Sequence, residues 1–442
     1  HMFKPSINLQ YIKDNKTMIQ ENANKRNTQI DVGAIVDLYD RYRGVKKEID
    51  SVRARKNAIA ANVKAKTTTS EQRAQLVEQG KRVKEMLVQM ELDHDRMLNE
   101  LTSEALKIPN DTHPDSPVGP ETCARTILEV GQKPTFAGFT PRDHIELGES
   151  LGMLLPASQT SGHKYYYFTR DAAMLEMALS YWAFSTMQMR HGFTPVITPD
   201  VVHPALAEAC GFQPRSDATQ LYWLKDQDLC LTATAEIPLA GMHANSVLDE
   251  HQLPLKLVGF SHCFRAETGR GVFNKGIYRV HQFSKVEMFV VSTPEQSNAI
   301  LEQLLQIQIE LFTSLGLPFR VLDMPTEDLG APAFRKYDIE VWIPSRNDYG
   351  EISSASSCTD YQSRRLNIKY RQSSDTPSAS VSPTEFTHTL NATACAIPRI
   401  ILAIMENNQQ ADGSVIIPEV LRPLMGGKDR ILPLASSSST SK

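Results

Sequence analysis

From Leu38 the chain places apolar side chains at Leu38, Tyr42, Val45, Ile49, Val52, Ile59 and Val63, with a polar interruption at Lys56. A second series runs Leu76, Gly80, Val83, Leu87, Met90, His94, Met97 and Leu101, again with interruptions. Steps that alternate four and three keep one side of a helix apolar, as in a coiled-coil seam. Between the two series, Lys66-Thr-Thr-Thr-Ser70 reads as a turn, with Ser70 the expected N-cap and Glu71 in the first turn. The pattern predicts an antiparallel helical hairpin about 45 Å long at ~1.5 Å per residue.

Beyond Pro109 the texture changes. Pro109 to Gly119 is rich in turn formers and reads as a linker. Strand-like runs at Leu257–Phe260, Tyr278–Phe283 and Val286–Val291 then alternate with helical segments, the longest being Leu175–His191 and Pro294–Leu315. That order predicts an α+β domain, an antiparallel sheet flanked by helices. The expected organisation is a helical arm over 1–108, a linker and entry segment over 109–142, a main domain over 143–428, and a disordered tail over 429–442.

Composition sharpens the division. Of 25 prolines none lies between Pro5 and Pro109, and proline is costly inside helices. The net charge of −4 is the sum of +4 over residues 6–108 and −8 elsewhere. Residues 41–66 hold nine basic side chains (Arg41, Arg43, Lys46, Lys47, Arg53, Arg55, Lys56, Lys64, Lys66) against Glu48 and Asp50. Such a run fits a solvated helix face, or a rail for a phosphate backbone. A hairpin with few contacts to hold it is expected to project, which suits a long polyanion.

Apolar content of 41% and charged content of 22% argue for a globular chain. No apolar run approaches membrane-spanning length, so no membrane partner is expected. The six cysteines lack C-x-x-C or Cys/His finger spacing, against a disulfide framework or a sequence-local zinc site. A reducing compartment is expected. The opening His1-Met2 reads as a cloning remnant, so the start of the chain leaves a native targeting segment open. No P-loop or strand-linked G-x-G-x-x-G is present.

Five motifs follow in order. Gly192-Phe-Thr-Pro-Val-Ile-Thr-Pro199 resembles the first signature motif of class II aminoacyl-tRNA synthetases, which builds their dimer interface. Cys263-Phe-Arg-Ala-Glu-Thr-Gly269, continuing through Lys275-Gly-Ile-Tyr-Arg-Val-His-Gln-Phe-Ser-Lys-Val-Glu287, resembles the second, and Thr389-Leu-Asn-Ala-Thr-Ala-Cys-Ala-Ile-Pro-Arg399 the third. Thr234-Ala-Glu236 and the run Glu351 to Arg365 are similar to the serine-binding element and the metal- and ATP-binding strand of seryl-tRNA synthetases. Ala392 to Arg399 and Asn408 to Val415 look like the animal mitochondrial branch.

The resemblance implies a ligase that joins L-serine to serine tRNA at the expense of ATP, with Mg²⁺, as a homodimer, in the mitochondrial matrix or, as second choice, the cytoplasm. No DNA partner is implied. Arg265, Arg399 and Glu351 would be catalytic. ATP would be held by Arg265, Ala266, Glu267, Lys275, Phe283, Glu351, Ile352, Ser353, Ser354 and Arg399, and the metal by Glu351 and Ser354. Serine would be held by Thr234, Ala235, Glu236, Arg265, Glu287, Asn391 and Thr393. On the arm, Arg43, Lys46, Lys47, Arg53, Arg55, Lys56 and Lys64 would contact tRNA.

The chemistry suits these residue types. A guanidinium can hold an α-phosphate and a carboxylate at once. One glutamate suffices for Mg²⁺ when phosphate oxygens complete its shell. Two buried carboxylates, Glu236 and Glu287, without a protein cation would call for a substrate ammonium. Plainer readings also fit: an Arg265–Glu267 ion pair, Phe283 as ordinary core, the serine run as a polar strand edge, Thr393 as structural. The chain departs from the family in three places. Lys275 stands where an arginine is usual, the loop Thr268–Asn274 is short, and Ala392-Thr393 replaces Gly-Ser. A non-catalytic RNA-binding paralogue would show erosion at Arg265, Glu287, Glu351 or Arg399, and all four are intact. An enzyme loading an amino acid onto a carrier protein would lack the long arm.

Overall fold

The computed structural model describes residues 2–212, 221–266, 273–373 and 382–435. It separates into two compact units, Ile7–Asp111 and a second comprising His1–Ser6 with Thr112–Lys442.

In the first unit the helices α1 (Val32–Lys64) and α2 (Ser70–Ala105) pack along the expected seam. Ile49 and Ile59 on one helix and Val83 and Leu87 on the other are buried. The interruptions are part of the fit. His94 stacks on Tyr42 with ring centroids 4.3 Å apart, and Gly80 leaves room for the Ile59 side chain. These pairings run in opposite directions along the sequence, so the hairpin is antiparallel. The N-cap is Thr69 rather than Ser70. Its hydroxyl accepts from the Gln72 N–H, while the Gln72 side chain accepts from the Thr69 N–H, a reciprocal capping box. The seam spacing begins at Leu38 and gives no notice of two short helices, Leu9–Asp14 and Lys16–Lys25. Their Ile12 and Ile19 close an apolar cluster with Ile35, Leu38 and Leu101.

The second unit is built on eight strands: β1 (Arg125–Val130), β2 (Thr194–Ile197), β3 (Leu255–Phe264), β4 (Gln282–Ser292), β5 (Phe319–Asp323), β6 (Arg335–Ile343), β7 (Asp348–Thr359) and β8 (His388–Ala396). They lie in the order β1-β5-β6-β7-β8-β4-β3-β2. All neighbours are antiparallel except the edge pair β3 and β2, which is parallel. The expected flanking helices are α3 (Asp171–His191), α4 (Ser297–Ser314) and α5 (Ile397–Asn407). Gly192, at φ +69°, ends α3 in the left-handed conformation that glycine adopts without cost.

Alternation along β4 organises the domain. Val286, Met288 and Val290 enter the main core, with residues of α3, α4 and α5. Phe289 and Val291 point the other way, into a second cluster. Lys285 and Glu287 share that second face by the period of two. Polar groups therefore sit on a sheet buried from both sides.

Two expectations are corrected. Tyr278–Phe283 is not a strand: Gly276–Tyr278 is a single tight turn of helix and β4 begins at Gln282. The cause is local, since Gly276 has φ +55° and the Tyr278 carbonyl accepts from Arg399 Nε instead of a strand neighbour. The entry segment within 109–142 supplies the outermost strand β1. The tail expected from 429 is packed further along, because Arg430–Ile431 pairs with Val415–Ile416, Ile431 is buried, and the Leu434 N–H donates to the Ser150 carbonyl. Residues 436–442 lie outside the described residues, as do Glu267 and positions 268–272 of the short loop. Among the described residues no helix is long and apolar enough to cross a membrane.

Candidate active site

The face of the sheet that carries Lys285 and Glu287 opens into a cleft of ≈ 820 Å³. Arg265, Tyr278, Arg279, Phe283, Lys285, Glu351, Ser354, Thr393 and Arg399 are among its lining residues. A second cavity, lined in part by Arg265, Glu236, Lys336, Ser356 and Asn391, lies beside it. Arg265 lines both.

Arg265 follows the end of β3. Its Nε donates to the Ala233 carbonyl at 3.3 Å, and its guanidinium carbon lies 5.3 Å from the centre of the Phe283 ring. Its backbone is clamped to His281, which accepts the Arg265 N–H on its carbonyl at 2.8 Å and meets the Arg265 carbonyl through Nδ1 at 2.8 Å. Among the described residues the bond to Ala233 is the hydrogen bond that its guanidinium makes.

Glu236 opens the short helix Glu236–Gly241 and is buried. Its Oε1 accepts from Gln362 Nε2 at 2.7 Å and Asn391 Nδ2 at 2.9 Å. Burial, and then the nearby Glu287 carboxylate, push its pKa up to about 7 despite these donors. Thr234 is buried, and its hydroxyl accepts the Glu236 N–H at 3.4 Å. Ala235 is wholly buried in the second apolar cluster, so its side chain serves packing.

Glu287 is not without a protein cation. Lys285 Nζ lies 2.9 Å from Glu287 Oε2, and the Thr393 hydroxyl donates to the same oxygen at 3.0 Å. Among the described residues Glu236 makes no ion pair, although the Lys285 and Arg265 charges act on it from further off. Lys285 carried a readable signal, since two residues apart on a strand means the same face.

The adjacent serines separate. Ser353 turns to the helix side, where its hydroxyl donates to the Thr393 carbonyl at 2.8 Å and accepts from Gln308 Nε2 at 2.7 Å. Ser354 remains on the cleft side. Ile352 is buried in the main core. Neither Ile352 nor Ser353 can offer the cleft more than backbone. The Glu351 carboxylate is 46% exposed and lies 4.0 Å from Arg399 Nη1.

Arg399, in the first turn of α5, donates from Nε to the Tyr278 carbonyl at 2.9 Å and from Nη1 to the Glu351 carbonyl at 2.8 Å, with its guanidinium 4.2 Å from the Tyr278 ring centre. Its neighbour turn is braced from below. His144 Nε2 accepts the Ile277 N–H at 3.2 Å, and His144 Nδ1 donates to Glu406 of α5 at 3.0 Å.

Lys275 is not brought to the cleft. It pairs with Asp143 Oδ2 at 2.5 Å, an interaction that raises the lysine pKa. Ala266 is described but is not among the lining residues. Arg279 is a cleft cation that motif reading passed over, although it stands within the quoted run. On the arm, Arg43, Lys46, Lys47, Arg55 and Lys64 are exposed and Lys56 is partly buried. Arg53 is also exposed, but it crosses the hairpin to Glu91 at 2.7 Å, which raises its pKa.

Residues 222–408 match the family profile described as tRNA synthetase class II core domain (G, H, P, S and T), so the sheet and cleft are those of a class II aminoacyl-tRNA synthetase. Residues 7–112 match the profile described as seryl-tRNA synthetase N-terminal domain. A serine–tRNA ligase of Treponema denticola is 42% identical over 95% of this chain and 99% of its own length. The mitochondrial serine–tRNA ligase of Mus musculus is 42% identical over 91% of this chain and 78% of its own. The crystal structure of seryl-tRNA synthetase from Pyrococcus horikoshii complexed with ATP superposes with a TM-score of 0.88 at 35% identity, covering 97% of this chain and 100% of that one. The chain belongs to the seryl-tRNA synthetase family.

Proposed function

We propose that the protein activates L-serine with ATP and transfers the seryl group to the terminal ribose of serine tRNA. The observation that carries this reading is Arg265, whose side chain borders both the cleft and the adjoining cavity. ATP occupies the cleft and serine lies where cleft and cavity meet, between Glu236 on the cavity side and Thr393 on the cleft side, so that one guanidinium holds the α-phosphate and the serine carboxylate together. The carboxylate oxygen then attacks the α-phosphorus in line with the departing pyrophosphate. Catalysis is positioning and charge stabilisation. Phe283 and Arg399 flank the adenine, with Arg279 as a further phosphate partner.

Glu236, fixed by Gln362 and Asn391, takes the serine ammonium. Glu287 and Thr393 form a polar pair suited to the serine hydroxyl. Alanine would leave these groups unpaired, and threonine would crowd them. Because ammonium binding requires ionised Glu236, protonation below its pKa of about 7 opposes it. The KM for serine is therefore expected to rise on the order of ten-fold between about pH 8 and pH 6 while the KM for ATP changes little. A flat serine KM over that range would remove Glu236 from the ammonium site.

Glu351 and Ser354 fit Mg²⁺. They offer one half-exposed carboxylate and one hydroxyl on the cleft side, the sparse set this ion takes when phosphate oxygens and water supply the rest. Bound there, Mg²⁺ would neutralise phosphate charge.

The arm is the tRNA-binding element. Charge reversal at Lys46, Lys47 and Arg55 is expected to leave serine-dependent ATP–pyrophosphate exchange within two-fold. The KM for tRNA should rise by roughly ten-fold or more, with a flatter salt dependence. Equal loss of both activities would contradict this division. The mitochondrial assignment rests on the resemblance of Ala392–Arg399 and Asn408–Val415, and charging of mitochondrial against cytosolic serine tRNA tests it.

The homodimer has support in an exposed apolar stripe. Met174, Met177 and Tyr181 lie along one side of α3, and Ile197 lies at the edge strand β2, with Met177 70% and Ile197 72% exposed. Sedimentation should show Met177→Glu combined with Tyr181→Glu as monomer; an unchanged dimer would place the interface elsewhere.

A further inference from the structure

Tyr165, Tyr222 and His281 form a partly buried aromatic cluster. The Tyr165 and His281 ring centroids are 5.4 Å apart with planes tilted by 37°, and Tyr222 meets His281 edge-on at 6.2 Å. The Tyr165 hydroxyl donates to that of Tyr222 at 3.1 Å. None of the three is among the residues lining the ATP cleft. Core packing does not account for them, since the main and second apolar clusters do not include them.

Their position is fixed by the site. His281 is joined to Arg265 through both its carbonyl and its Nδ1, as described above. The His281 N–H donates to the Lys164 carbonyl at 3.2 Å, and Lys164 Nζ donates to the carbonyl of Gly276 at 3.3 Å and to that of Asn274. The cluster is therefore tied through His281 to the backbone of the residue proposed to hold the two reacting groups.

We propose that this patch is a stacking platform for the unpaired 3′-terminal base of the acceptor RNA, an inference that rests on the ligase reading above. A ribose hydroxyl that attacks the seryl carbonyl must come to Arg265, and its base must then lie close by, outside the space filled by ATP. Aromatic faces accept any base without reading its edge, and each stacked base contributes roughly ten-fold or more to affinity. The Tyr165 hydroxyl spends its hydrogen on Tyr222, so ring surface is what Tyr165 offers a ligand.

The test uses the full chain with Tyr165→Ala, Tyr222→Ala and the matching Tyr→Phe variants. Three quantities are measured: serine-dependent ATP–pyrophosphate exchange, single-turnover transfer from preformed seryl-adenylate, and fluorescence of serine tRNA carrying 2-aminopurine as its terminal base. Wild-type protein is expected to quench the fluorescence on binding. The Ala variants should lose the quenching and slow transfer by roughly ten-fold at subsaturating tRNA, with exchange within two-fold, and the Phe variants should keep all three. Exchange and transfer falling together would make the rings a brace for Arg265 and overturn the platform. Unchanged quenching and transfer in the Ala variants would overturn it as well. Absence of exchange in wild-type protein would overturn the ligase reading itself, a result distinct from either.

Discussion

Arg265→Ala is expected to lower serine-dependent ATP–pyrophosphate exchange by at least about 10²–10³-fold, the range seen when one preorganised charge-stabilising donor is removed. The reasoning is geometric. Arg265 lies where the cleft and the adjoining cavity meet, and among the described residues its side chain makes one hydrogen bond, to the Ala233 carbonyl at 3.3 Å. Little of the fold depends on that bond, so the melting temperature of the variant should stay near that of wild type. Arg265→Lys keeps a charge but loses the planar fork that can serve two anions. Its exchange rate should fall between those of wild type and Arg265→Ala. If Arg265→Ala retained near-normal exchange while folded, the residue would not be the bridge between the substrates.

Lys285→Met is expected to be the most destabilising of the single changes. Lys285 and Glu287 are both buried, with side chains 8% and 3% exposed. Removing one member of such a pair leaves the other charge uncompensated, at a cost of about 3–5 kcal/mol. Urea unfolding should show this as a lower midpoint with an unchanged slope. The double change Lys285→Met with Glu287→Gln removes both charges and should recover most of the stability without restoring exchange, because the polar pair offered to serine is gone. A single Lys285→Met variant as stable as wild type would show that the pair is not a buried unit.

How much of this was readable depended on the separation of the partners. The arm was legible because its seam is a local repeat, and even the interruptions Gly80 and His94 kept their places in it. The cap was misplaced by one residue because Thr69 and Ser70 carry equivalent hydroxyls, and only the Gln72 side chain distinguishes them. In the catalytic domain, motifs located the residues but not their directions. Ser353 and Ser354 are neighbours in sequence, yet pleating sends them to opposite faces, and the irregularity between Ile339 and Glu340 sets the local register of β7 against β6. The clasp of Gln362 and Asn391 on Glu236 joins segments 126 and 155 residues from it, and the Lys275 bond to Asp143 spans 132. No pattern of spacing encodes such contacts. The Lys285–Glu287 pair is different, since strand periodicity alone places both on one face.

The most direct measurement is ATP–pyrophosphate exchange by the purified protein with serine, alanine and threonine compared at equal concentration. Exchange that requires serine and is at least ~10²-fold weaker with alanine or threonine is the expected result. Folded protein that shows no exchange with serine, or equal exchange with all three amino acids, would contradict a serine-activating site built on Arg265, Glu236, Glu287 and Thr393.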